Sequence, residues 1–113
     1  IMANVTITPA LETAIQAYCD AHTAEDLAQY PSFAGTANER TWRFEVCQKF
    51  VKVVKGRKGV EHDLSVHCFI QIADEDKWKT GDIFKPASWK APKKNFSRGN
   101  VLTKRYAISI YGI

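Results

Sequence analysis

The sequence has no apolar run approaching the roughly 18 residues that a membrane-spanning helix needs. Ile1–Ala10 has neither a basic start nor an apolar centre, so no secretory leader is expected, and Met2 is the expected natural start. Cysteine is scarce. Cys19, Cys47 and Cys68 are odd in number and far apart, and no CxxC, HxxxH or HExxH pattern gathers metal ligands. Reduced thiols in a cytoplasmic compartment are expected, with no metal and no cofactor. Histidine occurs only as His22, His62 and His67. Strand alternation puts His67 and Cys68 on opposite faces, which spoils a nucleophile–base pair. His62 with Asp63 reads as surface, and no two carboxylates are set face to face. No catalytic residue is assigned, and an enzyme is not expected.

What is present is basic and locally concentrated. The formal charge is +4, but Lys77–Arg105 holds nine Lys/Arg against one Asp. The remainder is net acidic. Such polarity favours an anionic partner for one part of the surface. With 113 residues, 45% of them apolar, the chain fits one domain over residues 2–113.

Local patterns predict an α+β fold. Thr8-Pro9 suits a helix start, and Leu11, Ile15, Tyr18, Cys19 and His22 form one apolar stripe. A second short helical piece is expected over Thr23–Gln29, stopped by Tyr30-Pro31. Ser32–Arg40 reads as loop. Thr41–Lys55 reads as a long strand, Gly56-Arg57-Lys58-Gly59 as a turn, and Leu64–Ile72 as an alternating strand. In that alternation Leu64, Val66, Cys68, Ile70 and Ile72 share a face. Asp74-Glu75-Asp76 starts a turn, Asp82–Lys85 is a short strand, and Tyr106–Ile110 is a final strand. The expected architecture is an N-terminal helix packed on a small antiparallel β-sheet, a hairpin plus two shorter strands. Trp42, Phe44, His67 and Phe69 are expected to leave the second sheet face partly apolar, which favours self-association.

Gly81–Asn100, GDIFKPASWKAPKKNFSRGN, carries the densest chemistry. It joins Phe84, Trp89 and Phe96 to five cations and two prolines, with Asp82 its one acid. Cations neutralise phosphates and an aromatic face stacks on a base, so a nucleotide-type ligand is expected. Trp89 stands between cations, with Lys90 and Lys93 close by. Arg98 offers a guanidinium, Gly99 a close backbone approach and Asn100 an amide for a base or ribose. The competing reading is structural: Trp89 caps the core, Asn100 makes a turn and the lysines face solvent. The Lys55–Gly59 turn is a weaker anion candidate, because GxxxxGK[ST] is missing and no helix follows it.

The segments DIFKPASWKAP and SRGN, with KFVKVVK and SVHCFIQI upstream, resemble a group of small phage proteins. The nearest functional family is the first-described Thoeris anti-defence sponge family, and the likeness runs over Lys49–Asn100. That family binds cyclic ADP-ribose signals made by bacterial immune TIR proteins and sequesters them uncleaved. Its members assemble as dimers or hexamers, and some also hold cyclic oligonucleotides. The resemblance implies that Phe84 or Trp89 stacks on adenine, that Asn100 contacts the ligand and that Arg98 lies near the pyrophosphate. Lys90 and Lys93 would help, and Arg105 would replace a final basic residue of the relatives. Lys94-Asn95-Phe96 lengthens the loop relative to them. The expected function is therefore a phage sponge for a cyclic nucleotide signal, with its site between subunits of a homo-oligomer. One alternative is a nucleic-acid-binding module using the same loop. Another is an inhibitor of a host protein, with Trp42, Trp78 and Trp89 as anchors.

Overall fold

Thr8 starts the first element. Its hydroxyl accepts from the Leu11 N–H at 3.1 Å, and Pro9 needs no donor at the first helical position. The computed structural model describes residues 6–113, with residues 60–64 described by backbone alone. Readings that involve residues 1–5, or the side chains of His62, Asp63 and Leu64, lie outside the described residues. Helix α1 runs unbroken over Pro9–Gln29, so the two predicted helical pieces are one. Its buried stripe is Leu11, Ile15, Tyr18, Cys19, His22 and Asp26, at the three- and four-residue spacings of one helix face. Tyr30-Pro31 ends it, and a short 3-10 turn, Pro31–Phe33, follows.

Four strands form one antiparallel sheet in the order β1-β2-β3-β4: Arg40–Val46, Phe50–Arg57, Val60–Gln71 and Ile83–Phe84. The α+β architecture is as expected, with two strands differing. Thr41–Lys55 is not one strand, because the chain turns at Cys47-Gln48-Lys49 and pairs Val46 with Val51. Tyr106–Ile110 does not join the sheet. The outer edge of β4 is already taken: Ile83 N–H donates to Gly99 O at 3.0 Å and Arg98 N–H to Ile83 O at 2.7 Å. With that edge taken, the last segment packs beside α1 instead. Ile110 is buried there while Ile108 stays 46% exposed.

The sheet has a helix side and a loop side. Trp42, Val51, Val53, Cys68, Ile70 and Ile83 share a core with Leu11, Ile15, Tyr18 and Cys19, and Phe44 packs against it. Trp42 therefore faces the helix, where its indole N–H donates to Asp26 at 2.8 Å. On the other side Lys52 pairs with Phe69, and Phe69 with Phe84. Phe69 and Phe84 are fully buried, so this face is covered rather than open. The apolar-face argument for self-association thus loses its surface.

One irregularity changes the site. Val53 pairs with Cys68, but Val54 pairs with Val66. His67 is the extra residue of a β-bulge, which turns it onto the helix side with its neighbour Cys68. The expected alternation holds for Cys68 and Ile70 and breaks there. His67 and Cys68 are not on opposite faces: both reach the Tyr18 hydroxyl, at 3.0 and 3.8 Å. Among the described residues no helix is long and apolar enough to cross a membrane.

Candidate functional site

The basic loop turns much of its chemistry inward. Lys94 Nζ lies over three rings, 5.3 Å from Phe50, 5.5 Å from Phe84 and 5.8 Å from Trp78. Lys52 Nζ lies 4.5 Å from the Trp89 ring. Cations over aromatic faces gain about 0.5–2 kcal/mol each, more as water is excluded. These contacts pin the Pro86–Phe96 region across the loop side of the sheet. Lys94→Ala is expected to cost about 1 kcal/mol and to speed proteolytic cutting within this segment. Unchanged cutting would mean that the prolines alone hold the loop.

Phe84, a predicted stacking residue, is wholly buried against Trp78 in an edge-on ring contact. Trp89 is 45% exposed, and Lys90, Lys93 and Arg105 are exposed. Asn100 is buried, with every hydrogen-bonding position of its amide taken. Nδ2 donates to Thr80 O and Asp82 Oδ1, both at 3.0 Å, while Oδ1 accepts from the Leu102 and Thr103 N–H groups. Gly99 has φ +142°, and a Cβ there would meet Arg105 O at 2.1 Å. The Arg-Gly-Asn run is thus the clasp of a turn. Arg98 stacks on Phe96 at 4.1 Å and lines a cavity of about 220 Å³ with Tyr18, Ile83 and Tyr106. The predicted residues therefore do not converge on one pocket.

A different place gathers charge. A cleft of about 400 Å³ is lined by Lys55, Ser65, His67, Lys85 and Pro86, together with the terminal residues 110–113. A smaller one of about 210 Å³, lined by Arg40, Arg57, Gly56, Lys55 and Ser65, adjoins it through the last two. Four cations border this trough, and no acidic side chain is among its described lining residues. Lys55 is held: its ammonium donates to Ile110 O and sits 5.5 Å from the Trp42 ring. Arg40 lies over the stacked Tyr30 and Phe33 rings. The Gly56–Gly59 turn is not a free cradle, since Lys58 pairs with Glu39 and its N–H donates to Glu39 O.

Beneath the cleft lies a buried polar cluster. His22 Nδ1–H donates to Tyr18 O at 2.8 Å, and its Nε2 accepts from Ser109 N–H at 3.2 Å. Both nitrogens are satisfied in the neutral ring. Burial lowers the pKa of His22, and it lowers that of His67 to about 3, with His22 and Lys55 adding repulsion. Burial raises the Tyr18 hydroxyl and the Cys68 thiol, and holds Cys19 up at about 12. Such thiols stay protonated and unreactive.

The family model named "Family of unknown function (DUF7717)" matches residues 2–111. The chain belongs to DUF7717. No curated protein and no solved structure matches it. For this DUF7717 member the candidate site rests on geometry alone. Lys55 belongs to the weaker anion candidate of the sequence, whereas His67 and Lys85 were not singled out as its partners, because the three come from separate elements and a bulge delivers His67. Two signals were available: Lys55 at the head of the Lys55–Gly59 turn, and Lys85 at the start of the basic loop, both of which border the cleft.

Proposed function

We propose that this protein captures a small phosphate-bearing signal of the cyclic nucleotide class and holds it without cleaving it. The observation that carries this reading is the cleft between Lys55 and Lys85, cationic and without an acidic side chain in its described lining. Two lysines bordering a concave space favour a compact anion, and low local dielectric strengthens each pairing. A cleft of this volume falls within the range of small-ligand sites. The resemblance to the anti-defence sponges supplies the ligand class, cyclic ADP-ribose signals, and a setting in the cytoplasm of an infected bacterium. Equilibrium capture needs affinity below the signalling concentration, which for nanomolar binding is about −12 kcal/mol. A homo-oligomer, dimer or hexamer, belongs to the same reading and is read by light scattering.

The test is a thermal shift against cyclic ADP-ribose, ADP-ribose, cyclic dinucleotides and inorganic phosphate. Titration calorimetry then follows on hits. Lys85→Glu removes an exposed side chain, so the fold should survive while affinity drops about 10- to 100-fold. Chromatography of ligand released by heat should return it intact. No shift with any member of the panel would sink the reading, and a cleaved product would make the protein an enzyme.

A second reading has its own observation. Trp89 and Phe96 are 45% and 50% exposed, beside the exposed Lys90 and Lys93. Single-stranded nucleic acid stacks on such rings, and its affinity would rise with oligonucleotide length and fall steeply with salt.

A further inference from the structure

We infer that His67 selects among ligands of the proposed cleft by presenting one fixed hydrogen-bond donor, its Nδ1–H, beside the two lysines. The ligand class follows: an anionic group for Lys55 and Lys85 joined to a heterocycle that carries an acceptor, a ring nitrogen or a carbonyl oxygen. The inference rests on the cleft being the ligand site, and it adds a residue and a selection rule.

The donor is fixed by a chain of hydrogen bonds that starts in the core. Cys68 is fully buried, and its thiol donates to the Tyr18 hydroxyl oxygen at 3.8 Å. Tyr18 is also fully buried, and its hydroxyl has one proton to give. That proton goes to the His67 Nε2, 3.0 Å away, because the neighbouring sulfur is a much weaker acceptor. With Nε2 accepting, the neutral imidazole carries its own proton on Nδ1. No hydrogen bond to Nδ1 is seen among the described residues, and His67 is one of the residues that line the cleft.

The ring is also held in place. It sits edge-on to Trp42 at 4.8 Å and to His22 at 5.0 Å, and 6.0 Å from Tyr18. A donor aimed by packing and by a second shell of hydrogen bonds costs little ordering when it meets a ligand. It also rejects a ligand without an acceptor, since the donor would then be buried unpaired. The bulge is what makes this possible. In a regular strand His67 would face away from Tyr18, and neither the chain of bonds nor the cleft wall would include it.

The experiment uses the full chain with cyclic ADP-ribose, a cyclic dinucleotide and inorganic pyrophosphate as probes. Long-range ¹⁵N spectra at neutral pH should show His67 with Nδ1 protonated and Nε2 bare, and the Nδ1 signal should move when a base-bearing probe binds. His67→Phe should weaken the base-bearing probe about 10- to 100-fold and pyrophosphate by less than about threefold. Tyr18→Phe, which keeps the buried ring, should leave the protein folded but populate both tautomers. Equal losses for both kinds of probe in His67→Phe, or an Nε2-protonated ring in the wild type, would overturn the inference. Binding that needs Lys85 but not His67 would overturn it alone and leave the cleft standing. Binding of none of the three probes would remove the cleft reading and this inference together. Should His67→Phe fail to fold, the ¹⁵N spectra and Tyr18→Phe still decide the matter.

Discussion

Asn100→Ala is expected to lower stability by about 3–5 kcal/mol, a large share of what a domain of this size possesses. Asn100 joins two stretches of chain through one amide. It ties Thr80 and Asp82 on one side to the Leu102-Thr103 turn on the other. Alanine would leave the Asp82 carboxylate, only 7% exposed, with one fewer donor, and two turn N–H groups without their acceptor. Each buried group left unpaired costs about 1–3 kcal/mol. The same turn dictates both flanking glycines. Gly81 at φ +91° has no room for a Cβ beside Asn100 Oδ1, and Gly99 is closed off by Arg105 O. The Gly-Asp and Arg-Gly-Asn runs are therefore two halves of one clasp. Urea denaturation measures the loss. A variant that keeps its stability within about 1 kcal/mol but no longer binds a nucleotide would return Asn100 to the ligand site.

How much of this was legible depends on range. The helix was visible because Thr8-Pro9 and the stripe from Leu11 to His22 are local signals, and the β2–β3 hairpin because Gly56 and Gly59 bracket its turn. The break between β1 and β2 was not. Cys47-Gln48-Lys49 holds no glycine or proline, so the strand pattern ran straight through it. The last strand failed for a non-local reason: Tyr106, Ile108 and Ile110 alternate well, but residues 98–99 already occupy the outer edge of β4. The loop shows the same limit at the level of chemistry. Its composition correctly announced cations near aromatic rings. Composition does not say whether a ring and a cation meet each other or both wait for a ligand, and Lys94 meets Phe50, Trp78 and Phe84. His67 is the sharpest case. Its face is decided by one extra residue in a pairing register, a quantity that no periodicity reports.

Acidification from pH 7 to pH 4 is expected to cost the fold about 3 kcal/mol through His67 alone. Its folded pKa is depressed to about 3 from an ordinary 6.5. The unfolded chain therefore binds more protons than the folded one between those values, and stability falls as pH drops through that window. Above about pH 6.5 both states hold the ring neutral, and the penalty vanishes. The groups facing His67 explain why it stays neutral. Tyr18 and His22 approach from α1, Trp42 from β1 and Lys55 from β2, and none of them supplies an anion against it. His22 acts in the same direction, since burial lowers its pKa too. A proton on its Nε2 would also point at the Ser109 N–H that now donates to it. The carboxylates of Asp74 and Glu39 have lowered pKa values, from hydrogen bonds with Thr80 and with Lys58 respectively. Their contributions are lost at still lower pH, so the loss between pH 6.5 and 5 belongs to the histidines. Unfolding free energy measured by urea at closely spaced pH values should be flat from about pH 7 to 8 and fall steadily below about 6.5. It should fall again above about pH 8.5, where the unfolded thiols of Cys19 and Cys68 ionise and the buried ones do not. A His67 ring that titrates near 6.5 by NMR, with stability unchanged down to pH 5, would mean that water reaches the Tyr18–His67 cluster and that its hydrogen bonds are not fixed.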